Sequence, residues 1–514
     1  MGKAANKKYK VGQDNVELFG LDLHNPVFFV SGIVIVAFVI VTLMFQADAK
    51  EFFGWLRPWL TSQFDWVFMI TGNLFVLFCL FLIVSPWGKI RIGGADAKPE
   101  YSYSGWFAML FAAGMGIGLM FFGVLEPVYH FQNPPLGIDP ADTEAARKMG
   151  MSATIFHWAL HPWAIYAVVA LSLAFFTYNR GLPLTIRSTF YPLLGERTWG
   201  WPGHVIDTLA VFATVFGLAT SLGLGAEQAT AGLNHLFGVP VTIATKVLLI
   251  MGITAIAVVS VVRGIDAGVK RLSEINMIVA LCLLVFVILM GPTMDIIKGV
   301  FVNTFDYVKS LPALSNWVGR EDTKFMHGWT TFYWAWWISW SPFVGMFIAR
   351  VSKGRTIREF LICVLIIPSF VGIIWMTAFG GTALSQFIVD GYTGVTETVT
   401  AWKPELSLYK MLEPLPLAGI SSFIGVVLVI VFFVTSSDSG SLVIDTITAG
   451  GKIDAPVAQR VFWAVFEGLV AIALLIGGGL TALQAAAIST GLPFAIVLAA
   501  MCVSIFIGLR SEKR

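Results

Sequence analysis

Apolar stretches near 20 residues recur along this chain from Phe28 to Leu509, separated by short polar or Gly/Pro-rich turns. A stretch of that length crosses the hydrocarbon core of a bilayer as a helix. Twelve such spans are predicted, centred roughly on residues 37, 74, 112, 165, 212, 252, 284, 338, 370, 427, 468 and 496. No polar segment between them is long enough for a separate core. The pattern therefore predicts one all-α integral membrane domain filling the chain.

Composition agrees with this reading: 57% of the 514 residues are hydrophobic and only 12% charged, against about 25% charged in a soluble domain. The formal net charge of +2 is too small to suggest a nucleic-acid partner. The charges instead report sidedness. With a cytoplasmic N-terminus, 22 of the 33 Lys and Arg fall on inside segments: the four N-terminal lysines, Lys89/Arg91/Lys98, Arg180/Arg187/Arg197, Arg263/Lys270/Arg271, Arg350/Lys353/Arg355/Arg358, Lys452/Arg460 and Arg510/Lys513/Arg514. The remaining basic residues share outside loops with acids such as Asp139, Asp142, Glu321 and Asp322. Both termini are expected in the cytoplasm. The first apolar run is long enough to span and lacks a clear cleavage site, so a retained helix is expected rather than a signal peptide. Cys79, Cys282, Cys363 and Cys502 lie inside apolar runs without CxxC spacing, which predicts small core residues rather than a zinc site or disulfide framework.

Interrupted spans are the more informative ones, because backbone at membrane depth leaves the helical ladder only where protein or a water-filled cavity satisfies it. In the third span, Ala112-Ala113-Gly114-Met115-Gly116-Ile117-Gly118 sets three glycines at alternate positions, each costing roughly 1 kcal/mol relative to Ala in a helix. Close packing through small residues explains the pattern about as well as a binding site does. No strand precedes it, so a dinucleotide loop is excluded. The tenth span ends in Thr435-Ser436-Ser437-Asp438-Ser439-Gly440, which reads as a hydrated helix end or a cation site.

The strongest local signal is the run from Trp329 to Phe343, which holds five of the eighteen tryptophans. An interfacial belt occupies about one turn, whereas Trp329 to Trp340 covers roughly 16 Å of helix. Phe332, Trp336 and Trp340 recur at i, i+4, i+8, with Trp337 turned about 100° from Trp336. Rings so placed make a wall. A quaternary ammonium has no N–H and cannot lose its charge, so aromatic faces are its natural hosts at about 0.5–2 kcal/mol per ring. In the fourth span, Trp158 and Tyr166 supply a candidate opposing wall. His157 and His161 of the same span lack the Glu of an HExxH pattern and a third ligand, so no metal is assigned to them.

On the glycine segment, the run from Trp329 to Pro342 and the Ser/Thr end of the tenth span, taken in that order, the chain resembles the betaine/choline/carnitine transporter family along nearly its whole length. The resemblance implies a LeuT-type core: residues 1–25 a cytoplasmic tail, 26–100 two peripheral helices, 101–310 and 325–509 two inverted repeats, and 510–514 a short tail. It also implies a homotrimer in the bacterial inner membrane, with lipid around it. Its cage comprises Trp158, Trp336, Trp337 and Trp340, extended by Tyr166, with Phe332 on the cytoplasmic or entry-side continuation of the path. The stretch Ala113, Gly114, Met115, Gly116 and Gly118 faces the polar end of the substrate. A Na⁺ site is implied at the carbonyls of Ala112, Met115 and Phe432 with the hydroxyls of Thr435 and Ser436, and hard oxygen donors suit that ion. A second Na⁺ site, involving Thr214 and Phe343, is doubtful because Leu218 stands where a second hydroxyl is needed. No other cofactor is implied.

The function expected is import of a quaternary-ammonium compatible solute, glycine betaine before choline, coupled to Na⁺. The alternatives are a carnitine-type antiporter and a carrier driven by protons through Asp438, Glu126 or Glu227. Glu126, beside Pro127, reads more readily as a water-facing charge at a helix end. An intramembrane enzyme would also need a base, nucleophile or metal, and neither HExxH nor GxSxG occurs. A single large cage suits occlusion better than a conducting channel. Only Arg510 to Arg514 follows the last span, so osmosensing through a long terminal tail is not expected.

Overall fold

The computed structural model describes residues 9–114, 116–263 and 266–512. A short antiparallel hairpin, β1 (Asn15–Leu18) and β2 (Leu21–His24), precedes a helical bundle. The first helices are α1 (Val27–Met44), α2 (Gln46–Val84), α3 (Tyr103–Gly114), α4 (Ile117–Gln132), α5 (Thr143–Trp158) and α6 (Leu160–Ala174). After the short α7 (Tyr191–Leu194) come α8 (Trp201–Phe237), α9 (Ile243–Arg263), α10 (Asp266–Met290) and α11 (Thr293–Ser315). The single turn α12 (Thr323–Phe325) leads through a π-turn at Met326–Thr330 into α13 (Thr331–Val351), followed by α14 (Ile357–Ile388). Two short helices, α15 (Gly394–Thr400) and α16 (Ser407–Leu412), precede α17 (Ala418–Thr448), α18 (Val457–Ile476) and α19 (Gly479–Arg510).

Ten spans among the described residues are long and apolar enough to cross a membrane. The third and eighth of the twelve expected spans are not among them, for separable reasons. The third is divided between α3 and α4, each shorter than a bilayer crossing. The eighth, α13, is continuous but crowded with Trp, Tyr and Ser, which carry little hydropathy. Its burial confirms that it is no interfacial belt, since every residue from Trp329 to Ile338 is buried.

Two boundaries differ from expectation. The helix breaks at the fourth span too: Ala159 has φ −105° and ψ −113°, between α5 and α6. Trp158 and Tyr166 therefore stand on two helices rather than on one face of one. The Ser/Thr segment is no helix end, because α17 runs unbroken past it to Thr448. Ser437 there donates to Glu467 of α18 at 3.2 Å, and Thr435 Oγ1 donates back to its own helix, to the carbonyls of Val431 at 3.0 Å and Phe432 at 3.2 Å. Such bonds let Ser and Thr sit mid-helix without ending it. The cysteines also divide: Cys79 and Cys502 are buried, whereas Cys282 is exposed and Cys363 half-buried on outward helix faces.

Polar contacts gather the loops at two opposite ends. At one end Tyr9 stacks on Trp199 with centroids 4.0 Å apart, and its hydroxyl accepts from Arg187 at 2.8 Å. There too Asp22 pairs with Lys452, and Arg180 with Glu512 at 2.9 Å. Asn179 accepts from the Gly93 N–H at 2.7 Å and donates to the Arg91 carbonyl, while Arg91 bridges to Thr356. Six of the seven segments expected on one side thus meet there. The other end joins Arg57 to Gly328, Asp65 to His327 and the Leu136 N–H to Asp322.

Candidate functional site: an aromatic cage beside a hydroxyl-lined cavity

The break between α3 and α4 opens onto the middle of the bundle. Gly116 is extended at φ −177°, and Ile117 begins α4 without a side-chain cap. The uncapped first turn carries free N–H groups and the positive end of the helix dipole. Facing it is a cavity of about 60 Å³ whose lining includes Ala113, Gly116 and Gly118 with Trp158, Tyr166, Trp336, Trp337 and Trp340. The structure thus brings together, around one space, the glycine stretch and the two aromatic walls. Gly114 closes α3 at the same break. Met115 lies outside the described residues.

The rings stand as walls at angles. Trp336 and Trp337 stack 4.9 Å apart at 15°, and Trp158 meets Trp337 edge-on at 4.9 Å and 75°. Tyr166 approaches Trp337 at 6.3 Å and 78°. Each of the four tryptophans has its indole N–H engaged elsewhere. Trp336 donates to Ser221 Oγ at 3.1 Å, Trp337 to the His157 carbonyl at 3.0 Å, Trp340 to the Gly217 carbonyl at 3.0 Å and Trp158 to Glu126 at 2.7 Å. What remains for the cavity is ring face and edge, the surface that hosts a cation without hydrogen bonds. Gly118 is there for space: a methyl group on it would lie 2.7 Å from Trp158 Cη2.

Phe332 is not in the cage. It stacks on Trp336 at 5.4 Å and lines a separate vestibule of about 800 Å³ with Phe122, Tyr129, Trp329 and Trp402. Arg57, Lys324 and His327 also line this vestibule, which places it at the end of the bundle opposite the N-terminal hairpin. The cavity lining also includes residues outside the sequence-based set, Trp163 and Ser221 among them. Trp163 lies within one turn of Tyr166 and packs on it at 5.3 Å, and Ser221 holds Trp336 from α8. Spacing from Tyr166 points to Trp163; nothing in the sequence singles out Ser221 among mid-helix serines.

A third cavity, of about 220 Å³, is lined by Ala112, Phe432, Thr435 and Ser436 together with Ser273, Asn276 and Phe343. The described residues of the expected Na⁺ site therefore share one space. Trp340 and Ala113 line both this cavity and the cage. Of the two residues of the doubtful second site, Phe343 lines the cavity of the first, and Thr214 is fully buried in α8, donating to the Ala210 carbonyl at 2.7 Å.

The three acids considered as proton carriers sort themselves. Glu227 pairs with Lys246 at 2.6 Å, and Asp438 lies 3.7 Å from Arg460. Glu126 is not the water-facing charge expected of it but fully buried, at the centre of a network with His157, Trp158 and Tyr333. His130 and His157 come within 4.8 Å of its carboxylate and of each other. The expected pair His157 and His161 has separate partners, Glu126 with Thr330 for the first and Asn73 for the second.

Apolar spans, a helix broken at the centre of the bundle and an aromatic cavity there define a multi-pass membrane transporter. The family model for betaine/carnitine/choline transporters matches residues 26–514. Over 99% of this chain and 95% of its own length, a glycine betaine/proline/choline transporter of Vibrio parahaemolyticus is 61% identical. Glycine betaine transporter 1 of that organism is 56% identical over 98% of this chain and 97% of its own length, and a glycine betaine transporter of Acinetobacter baylyi 45% identical over 95% of this chain and 74% of its own. The chain belongs to the betaine/carnitine/choline transporter family, and it is a transporter rather than an enzyme.

Proposed function

We propose that this protein imports a quaternary-ammonium compatible solute, glycine betaine first and choline second, by Na⁺-coupled alternating access. The observation that carries the reading is the cage, where Trp158, Trp336, Trp337 and Trp340 present ring surface with their N–H groups already bonded. The trimethylammonium group lies among these rings, held by about 0.5–2 kcal/mol per ring. A carboxylate on the same molecule points at the uncapped start of α4, where the helix dipole favours negative charge. That pairing prefers a zwitterion to cationic choline. The named activities of the relatives support the same substrate class.

Sodium is the coupling ion of this proposal, carried at Ala112, Phe432, Thr435 and Ser436. The architecture proposed around the site is twelve spans, with residues 101–310 and 325–509 as LeuT-type inverted repeats after two peripheral helices. We assign the protein to the bacterial inner membrane as a homotrimer, with the hairpin end cytoplasmic and the vestibule outside. The small cage beside a large vestibule fits a solute-binding centre shut in this conformation, with the rings parting to admit its cargo.

The test is uptake of radiolabelled glycine betaine and choline in a carrier-deficient host, with Na⁺ and with K⁺ in its place. Accumulation that needs Na⁺ is expected. Failure to accumulate either solute would sink the substrate assignment, whereas equal uptake in K⁺ would leave it standing and replace sodium symport by exchange or proton coupling. Thr435→Ala is expected to raise the Na⁺ concentration for half-maximal uptake several-fold while leaving the betaine KM at saturating Na⁺ within about twofold.

A further inference from the structure

The carboxylate of Glu126 ties together three helices from both halves of the chain. From α4, its Oε2 accepts from Trp158 Nε1 on α5 at 2.7 Å and from Tyr333 Oη on α13 at 2.6 Å. Its Oε1 lies 2.5 Å from His157 Nδ1 and 3.3 Å from His130 Nε2. An indole N–H can only donate, and His157 has its other nitrogen on the Thr330 hydroxyl at 2.9 Å. A neutral His157 that donates from Nδ1 and accepts from Thr330 satisfies both of its own nitrogens, and gives the carboxylate three donors. That is the hydrogen-bonding pattern of an ionised acid.

Glu126 does not line the cage. Its charge reaches the cavity through the indole of Trp158, whose N–H it holds and whose ring stands at the cage wall. A hydrogen bond to a carboxylate at the N–H leaves the ring richer in electron density, and a buried negative charge one ring away attracts a cation in a medium that screens weakly.

We propose that Glu126 is the specificity-setting counter-charge of the cage: a positioning residue, never in contact with the solute, that makes the tryptophan box select an onium cation over an uncharged group of the same shape. The inference rests on the quaternary-ammonium reading above. It makes the cage more than a hydrophobic fit, because shape alone cannot distinguish trimethylammonium from tert-butyl.

The experiment measures binding to purified full-length protein of choline and of its neutral tert-butyl isostere, in which carbon replaces the quaternary nitrogen. Glycine betaine and its own tert-butyl isostere form a second pair. The wild type is expected to prefer each onium ligand. In Glu126→Gln the onium ligands are expected to bind roughly tenfold more weakly, and the tert-butyl isosteres to change by less than about twofold. Glu126→Asp, which keeps the charge, is expected to retain the preference. A purely structural role for Glu126 would weaken both members of each pair equally, and that result, or an unchanged preference in Glu126→Gln, would overturn the proposal. Should the amide variant not fold, Glu126→Met combined with Tyr333→Phe removes the charge together with one of the donors it holds, and the same ratio decides. A wild type that binds neither choline nor betaine would overturn the function itself and this inference with it.

Discussion

At the scale of single residues, the cage is governed by contacts too close to relax. Trp337 touches both walls: it stacks on Trp336 and Tyr333 and stands edge-on to Trp158 and Tyr166. Trp337→Ala is expected to raise the betaine Kd at least about tenfold, the value of one ring with its orientation of neighbours, as read by titration of intrinsic fluorescence. Gly118→Ala is expected to act by a different route, pushing on Trp158 and Trp336 and lowering transport several-fold at unchanged expression. Normal betaine affinity in the tryptophan variant would remove Trp337 from the site. Much of this was legible in the sequence. Trp336, Trp337, Trp340, Trp158 and Tyr166 announce themselves by type and by helical spacing. Glu126 does not, because a Glu before Pro near a helix end looks water-facing until a second helix brings Trp158 and a third brings Tyr333 onto it. Ser221 is hidden for the same reason, since its role comes from the opposing indole.

At the scale of elements, interruptions and caps position what the residues do. The sequence marks the α3–α4 break through its glycines, and the structure ends α3 at Gly114 and begins α4 at Ile117. It marks the break at Ala159 only through Pro162, which has no N–H for the Trp158 carbonyl and sits in the first turn of α6; the break turns Trp158 and Tyr166 toward one cavity from two helices. Conversely, the hydroxyl-rich stretch of α17 looks like an ending and is not one, because Thr435 bonds back to its own helix and Ser437 finds Glu467 on α18. A cap of ordinary kind begins α14, where Thr356 accepts from the Glu359 N–H at 3.2 Å and Glu359 reaches back to the Thr356 N–H. Thr356→Ala is expected to destabilise the protein by about 1 kcal/mol, read as a lower Tm in detergent, with the Kd for betaine unchanged.

At the scale of the whole molecule, the distribution of basic residues sorts the loops into two groups, and the contacts at the hairpin end bear out the grouping. What patterning could not supply is the lock itself. His24, fully buried, accepts from Arg187 Nη1 at 2.8 Å and so must be neutral there. Burial, then the charge of Arg187, then His204 bring its pKa down to about 3. An unfolded histidine titrates near 6.5. The folded value is the lower one, so protonation favours release: the hold is complete above about pH 6.5 and weakens by roughly 1.4 kcal/mol per pH unit below it until the folded value is reached. Hydrogen-exchange protection factors in β1 and β2, taken relative to the intrinsic exchange rate at each pH, are expected to fall between pH 7 and pH 5, and His24→Gln to flatten that dependence. An equally steep profile in the variant would place the titrating group elsewhere.

Trp340 is a party wall between two rooms, with the cage on one side and the hydroxyl-lined space on the other. Thermodynamics makes any such wall bilateral: the factor by which the ion tightens the solute must equal the factor by which the solute tightens the ion. Occupancy on either side is then a report on the other, and replacing that one ring should loosen the bookkeeping between them in both directions at once.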